Sequence, residues 1–415
     1  MKELLRRRAF RALFLGQAVS GFGDWMVTVA MMALVLRLSG SSTAVGGILL
    51  LRLLPAAAAA SLAARGVRGW DGRRTMLAAD LARAGIVVAI PLVRGVWWVY
   101  TWAFLLEVAG IVFLPARDSL IPDLVDRDEL PLANGVILAS SYGSIPFGAA
   151  AFAAVVGLSP TGSGFIGDHP FALVFLVDAV TFLVSFLFVL HLPVPAEPAA
   201  PTADERRPRF REALRIPLVR AVMAPTAAIV LALGSLFSLG VVYVHDVLGA
   251  NDTEFGLLIA FFGIGAALGL LVLQTARGTD GPADLRRGVL VQGATIGLMS
   301  LTDRVALAFV GAAVFGGATA FVIACGMGMV QTGLDGHERV LAFTAFHIVI
   351  RVGLAVSAIG AGVAGDLVGT VRLPILGRLE PSRLVLLCAG TVVVLSASML
   401  TTAVRKVTRA GLHSH

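Results

Sequence analysis

Along this chain, apolar residues arrive in long, nearly unbroken blocks separated by short stretches of charge, Gly and Pro. A helix with one wet face would instead show polar residues at every third or fourth position. Each block approaches the roughly 20 residues needed to carry a helix across the hydrocarbon of a bilayer. The blocks predict spans over about 10–37, 43–64, 75–93, 97–116, 131–157 and 170–192, then 218–243, 254–276, 286–301, 304–330, 340–368 and 382–404. The expectation is an all-α integral membrane protein of twelve transmembrane helices in two six-helix halves, residues 1–192 and 218–415. Between the halves, PVPAEPAAPTADERRPRFREALRIP (193–217) is too rich in Pro and charge to enter hydrocarbon and reads as a cytoplasmic linker.

Composition agrees. Only 14% of residues are charged and 57% are hydrophobic, with a mean hydropathy of +0.88, whereas a soluble domain carries about 25% charged residues. The opening MKELLRRRAF is basic like the start of a signal peptide, but the apolar stretch behind it is too long and no small-residue cleavage site follows promptly. A retained first helix is expected. Cys325 and Cys388 lie in apolar segments without ligand spacing, so neither a disulfide framework nor a metal site is indicated. Gly360, Gly362 and Gly365 spell GxGxxG, but inside a membrane span, where a dinucleotide site has no strand before it and no polar setting. No Gly-Lys-Ser phosphate loop, no HExxH and no nucleophile with a base at one depth is present, so no enzymatic activity and no cofactor are expected.

The net charge of +7 would suit a nucleic-acid partner if it formed a patch. Instead it follows the loops. With the N-terminus inside, 24 of the 33 basic residues fall in inner segments and six in outer loops, and Arg52, Arg83 and Arg351 lie within spans. The positive-inside rule then places both termini in the cytoplasm of a cell with the chain in its plasma or inner membrane. Reporter fusions at the C-terminus and at residue 165 should therefore report opposite sides; a shared side would overturn the map.

Several stretches resemble the major facilitator superfamily, in particular its drug and siderophore exporter branch, which includes macrolide exporters and the enterobactin exporter. These are SGFGDWMVTVA with Gly21, Gly23, Asp24 and Trp25, LLRLLP with Arg52 and Pro55, residues 113–135, and residues 246–269. The superfamily's loop GxxxDRxGRR is matched by RGVRGWDGRR: Gly72, Arg73 and Arg74 agree, Arg65, Gly69 and Trp70 depart, and Asp71 stands two positions late as a substitute acid. In the family this loop forms a cytoplasmic charge latch. The resemblance implies such a gate from Asp71, Arg73 and Arg74 with Asp80 and Arg83, which lie three apart on one helical face. IPFGAA (145–150) keeps Pro146 of the antiporters' GPxxGG ending. The implied activity is proton-driven export of hydrophobic or amphipathic small molecules, with membrane lipid as surroundings. A lysophospholipid or other lipid flippase of the same fold, and a non-transporting sensor or scaffold, are the alternatives.

Ionisable groups at mid-bilayer cost at least about 2.5 to 3.5 kcal/mol, so those present mark function or a partner. Asp24 falls about 20 Å, Arg52 about 14 Å and Glu107 about 15 Å below the outer helix ends. Asp24 and Glu107 are expected to bind a proton or cation, with Arg52 holding one of them ionised, because nearby positive charge favours the carboxylate and desolvation the acid. In the second half His347 and Arg351 are four apart and share a face, a titratable ring beside a permanent cation suited to an anionic group of a substrate. Asp178 is expected to make an interhelical hydrogen bond. GIGAALG, with Gly265 and Gly269 four apart, is expected to seat a neighbouring helix closely.

Overall fold

The computed structural model describes residues 2–51, 71–126, 129–159, 169–192, 210–275, 281–334, 336–373 and 377–412. Arg52, Pro55, Arg65, Gly69, Trp70 and most of the expected linker lie outside these residues.

Helix follows helix, as the unbroken apolar blocks require of a chain whose backbone amides must be satisfied without water. In order these are α1 (Arg8–Ser39), α2 (Ser42–Leu51), α3 (Gly72–Ala89), α4 (Val96–Leu124), α5 in two pieces (Leu130–Gly143 and Ile145–Leu158), α6 (Ala172–Leu190), α7 (Pro217–Val242), α8 (Asp252–Thr275), α9 (Gly281–Leu301), α10 (Val305–Gly333), α11 (Gly336–Leu367) and α12 (Pro381–Leu412). Eight candidate spans in the described residues, including α1, α4 and α10, are long and apolar enough to cross a membrane. Among the described residues, the only strands are β1 (Val371–Leu373) and β2 (Gly377–Leu379), an antiparallel pair between α11 and α12.

The chain divides into two compact units, one of Met1–Gly40 with Leu51–Asp204 and one of Ser41–Leu50 with Glu205–His415. The first has a core in which Phe10 and Leu13 of α1, Met76 of α3 and Phe113, Leu120 and Ile121 of α4 are buried together. Turn chemistry sets its geometry. Trp98 Nε1 donates to the Ala89 carbonyl at 2.9 Å and ties the start of α4 to the end of α3, while Trp97 stays 82% exposed, as suits an aromatic side chain at a membrane interface. The break in α5 falls at Ser144, just before Pro146, whose ring nitrogen has no proton to give the preceding turn. Beyond it, a Cβ on Gly148 would lie 2.6 Å from the Phe22 carbonyl oxygen, so α5 and α1 touch through their backbones.

In the second unit Val219 and Val222 of α7 pack with Val330 of α10 and Leu341 and Phe346 of α11. The glycines of GIGAALG do seat a neighbour: a Cβ on Gly265 would stand 1.8 Å from the Ala313 carbonyl oxygen, and one on Gly269 2.2 Å from that of Gly317, both on α10. Buried amide chemistry joins three helices, Gln292 Nε2 of α9 donating to Thr319 Oγ1 of α10 at 2.8 Å and to the Ile229 carbonyl of α7 at 3.3 Å. Helix α7 ends in a π-helical turn, Tyr243–Val247, where the buried Tyr243 hydroxyl lies 2.6 Å from the Met299 carbonyl oxygen. Helix α8 then opens on a reciprocal cap. Asn251 Oδ1 accepts from the Glu254 amide at 3.1 Å and Glu254 Oε2 accepts from the Asn251 amide at 2.8 Å, satisfying two donors that the first turn would otherwise leave open.

Candidate functional site

A pair of charges in the first unit is buried where α3, α4 and α6 meet. Asp80 and Arg83, one turn apart on α3, are both buried and form an ion pair. Asp80 Oδ2 also accepts from Ser185 Oγ of α6 at 2.9 Å. The Arg83 guanidinium sits between two aromatic faces, 4.2 Å from the ring centre of Phe113 on α4 and 4.5 Å from that of Phe182 on α6. A flat, weakly hydrated cation is well suited to such a slot, because it can stack on both rings while its edge bonds to a carboxylate.

Two further carboxylates lie on α1 and α6. Asp24 of α1 is half-buried and engaged by another group. Asp178 of α6 is fully buried and accepts from Thr181 Oγ1 at 2.8 Å. It presses on the neighbour of Asp24: a Cβ on Gly23 would lie 1.9 Å from Asp178 Oδ1. Gly23 is thus a position where α1 and α6 close on each other around a charge. Glu107, on α4, is half-buried and also engaged. Arg52, the expected partner of Asp24, lies outside the described residues.

The five residues expected at one cytoplasmic gate occupy two places. Asp71 caps α3, its Oδ1 accepting from the amides of Arg73 at 2.9 Å and Arg74 at 3.4 Å. Arg73 reaches the end of α6, donating through Nε to the Val189 carbonyl at 3.2 Å and through Nη2 to that of Leu190. A cation on the last carbonyls of a helix meets both the open acceptors and the negative end of the dipole. Arg74 has an 86% exposed side chain and pairs with Asp71, at 3.5 Å. Asp80 and Arg83, by contrast, belong to the buried cluster, because ten residues of helix separate Arg83 from Arg73 by about 15 Å.

Two arginines make contacts that carry no signal in the sequence. Arg117, within the FLPARDS stretch, donates through Nη1 to Gln17 Oε1 of α1 at 2.9 Å and through Nε to Asp118 Oδ1 at 2.8 Å. Arg7 bonds Asp126 and, at 2.8 Å, Glu129, holding the N-terminal segment to the α4–α5 connection. In the second unit His347 and Arg351 lie one turn apart on α11 and both are exposed; His347 Nδ1 is 2.9 Å from the Phe343 carbonyl oxygen. No group of three metal-ligating side chains occurs among the described residues.

Long apolar helices in two units, with a pair of charges buried among them, define a polytopic membrane protein. A family model described as Major Facilitator Superfamily matches residues 13–281, and the chain belongs to that superfamily. It is similar to the uncharacterized MFS-type transporter YvqJ of Bacillus subtilis, at 23% identity over 389 residues that cover 89% of each chain. It also resembles the MFS-type transporter YjbB of the same organism, at 25% identity over 65% of this chain and 66% of that one. Among solved structures, a bacterial homologue of the human lysosomal transporter Spinster, inward-facing and unoccupied, superposes with a TM-score of 0.75 at 16% identity, covering 96% of each chain. A bacterial homologue of the iron transporter ferroportin, also inward-facing, gives 0.74 at 12% identity over 95% of this chain and 98% of the other. These likenesses fix the all-helical major facilitator fold of a multi-pass integral membrane protein.

Proposed function

We propose that the protein is a proton-coupled exporter of hydrophobic or amphipathic small molecules, placed in the cell membrane with both termini cytoplasmic. The observation that carries this reading is Asp24, a half-buried carboxylate on α1 next to Gly23, where α1 closes on the buried Asp178 of α6. A carboxylate so placed gains or loses its proton as its surroundings change between one face of the membrane and the other. Glu107 is a second proton-binding candidate, and the exposed Arg351 with His347 offers a cationic edge for a polar group of the substrate. The contact of Arg73 with the last carbonyls of α6 supports a gating role for the α2–α3 loop.

The test is flux in proteoliposomes under an imposed pH gradient, with ethidium, a macrolide and a catecholate siderophore as probes. Accumulation of at least one probe that collapses with a protonophore is expected. Flux that ignores the gradient would remove the coupling, and movement of lysophospholipid alone would transfer the reading to a lipid flippase.

A further inference from the structure

The first turn of α12 leaves polar atoms buried and unanswered. Glu380 precedes the helix, and its carbonyl accepts the Leu384 amide at 3.1 Å. Pro381 has no amide proton, so the amides of Ser382 and Arg383 are the ones that the helix itself leaves open. Their side chains share that turn. Among the described residues, Ser382 Oγ, Arg383 Nε and Glu380 Oε2 are buried without a hydrogen-bond partner, and Ser382 is only 3% exposed. Arg383 Nη1 lies 3.5 Å from Glu380 Oε2, an ion pair that satisfies neither Nε nor the carboxylate oxygen by a hydrogen bond. Buried polar atoms give up their water on folding, so three of them unmatched within one turn mark a place shaped for a ligand with complementary groups.

Charge gathers at the same point. The hairpin of β1 and β2 runs into α12, and its register sets Arg372 directly opposite Arg378. Like charges at opposed positions weaken a strand pair, and an anion nearby relieves them. Arg378 is exposed. With Arg383, these are three of the six basic residues that the sequence assigns to outer loops, where the positive-inside rule disfavours them. The positive end of a 32-residue helix adds to the field. Glu380 is the one acid between Arg372 and Arg383.

We propose that the start of α12 binds a phosphate group that keeps a proton, either inorganic phosphate or the phosphate monoester of a lipid headgroup. Ser382 Oγ and Arg383 Nε donate to its oxygens, the open amides and the arginines attract its charge, and Glu380 Oε2 accepts from its P–OH group. The carboxylate decides the class. A fully ionised oxyanion such as sulfate has no proton to give Glu380 and meets its negative charge instead. The inference involves the second unit alone and does not depend on what the protein carries.

The test uses the full-length protein in detergent at about pH 6, where a phosphate monoester is close to its second pKa and keeps much of its proton. Unfolding temperature is followed at constant ionic strength against inorganic phosphate, sulfate, and mixed micelles of phosphatidic acid or phosphatidylcholine. A ligand of the folded state raises it by mass action. Phosphate, phosphatidic acid or both should raise it, and sulfate and phosphatidylcholine should not. A rise with phosphate alone assigns the site to the free ion, and one with phosphatidic acid alone to lipid. Ser382→Ala should weaken the apparent affinity by about tenfold, the loss of one charge-assisted hydrogen bond. Arg378→Gln, at an exposed position, should weaken it by a smaller factor, and it decides the matter should Ser382→Ala fail to fold. Glu380→Gln should remove the discrimination against sulfate. No rise with either phosphate source, a rise that sulfate matches in the parent protein, or a rise left unchanged by these variants would overturn the proposal.

Discussion

Asp80→Ala is expected to cost the protein about 3 to 5 kcal/mol of stability, the usual penalty for breaking a buried ion pair from one side. Arg83 would keep its full charge in a slot lined by Phe113 and Phe182, with the Ser185 hydroxyl turned toward an empty position. Two aromatic faces attract a guanidinium, but each contributes only about 0.5 to 2 kcal/mol and together they do not replace a carboxylate. Loss of both charges is a different case. The double variant Asp80→Leu with Arg83→Met should recover most of the loss, because apolar residues of similar volume remove the desolvation cost along with the attraction. Thermal unfolding in detergent, read by size-exclusion profile against temperature, separates the outcomes. A single variant as stable as the parent would mean that water reaches Arg83 and that the site is not buried in solution.

Asp24→Asn should abolish proton-driven accumulation while leaving the protein folded and able to exchange substrate across the membrane. The amide keeps the size of the carboxylate and an oxygen acceptor, but it cannot take up and release a proton. Net transport against a gradient needs that proton and counterflow does not. The two assays on one proteoliposome preparation therefore divide coupling from binding, with accumulation expected to fall to the level of protein-free vesicles. Loss of counterflow as well would assign Asp24 to substrate binding or to the fold. Accumulation at the parental level in a folded variant would remove Asp24 from the coupling step and leave Glu107 as the carboxylate to examine.

Much of the fold could be read along the chain, because a bilayer asks one simple thing of a helix and long apolar blocks answer it. The small-residue spacing of GIGAALG was legible for the same reason: Gly265 and Gly269 lie four apart, and only a close neighbour rewards the loss of two side chains. Of the GxGxxG run in α11, Gly362 makes room for the start of α2 and Gly365 for the side chain of Leu239 on α7.

The charges of the first unit were legible one by one but not in their grouping. Asp80 and Arg83, three apart, were expected at the gate, and the contacts that place them elsewhere come from Ser185, Phe113 and Phe182 on other helices, where hydropathy is silent on which helix faces which. Ser185 opposite Asp80 is an ordinary serine until α6 is placed beside α3. Arg73 is harder still, since its acceptors are the backbone carbonyls of Val189 and Leu190, which any residue would supply. The bond from the Ser42 amide to Asp366 Oδ1, at 2.8 Å, spans 324 positions and carries no local signal at all.

The contact between α8 and α10 also limits how this chain can change in descent. With Gly265 and Gly269 laid against the carbonyls of Ala313 and Gly317, the two helices meet at fixed heights. Inserting one residue between the glycines would turn everything beyond it by about 100° and send a side chain into a carbonyl oxygen. Even alanine is barred at these two positions, where its Cβ would meet a backbone carbonyl oxygen, and a change of length is barred as well. The stretch from Gly265 to Gly269 therefore works as a ruler, and insertions among relatives should collect in the connections outside the helices.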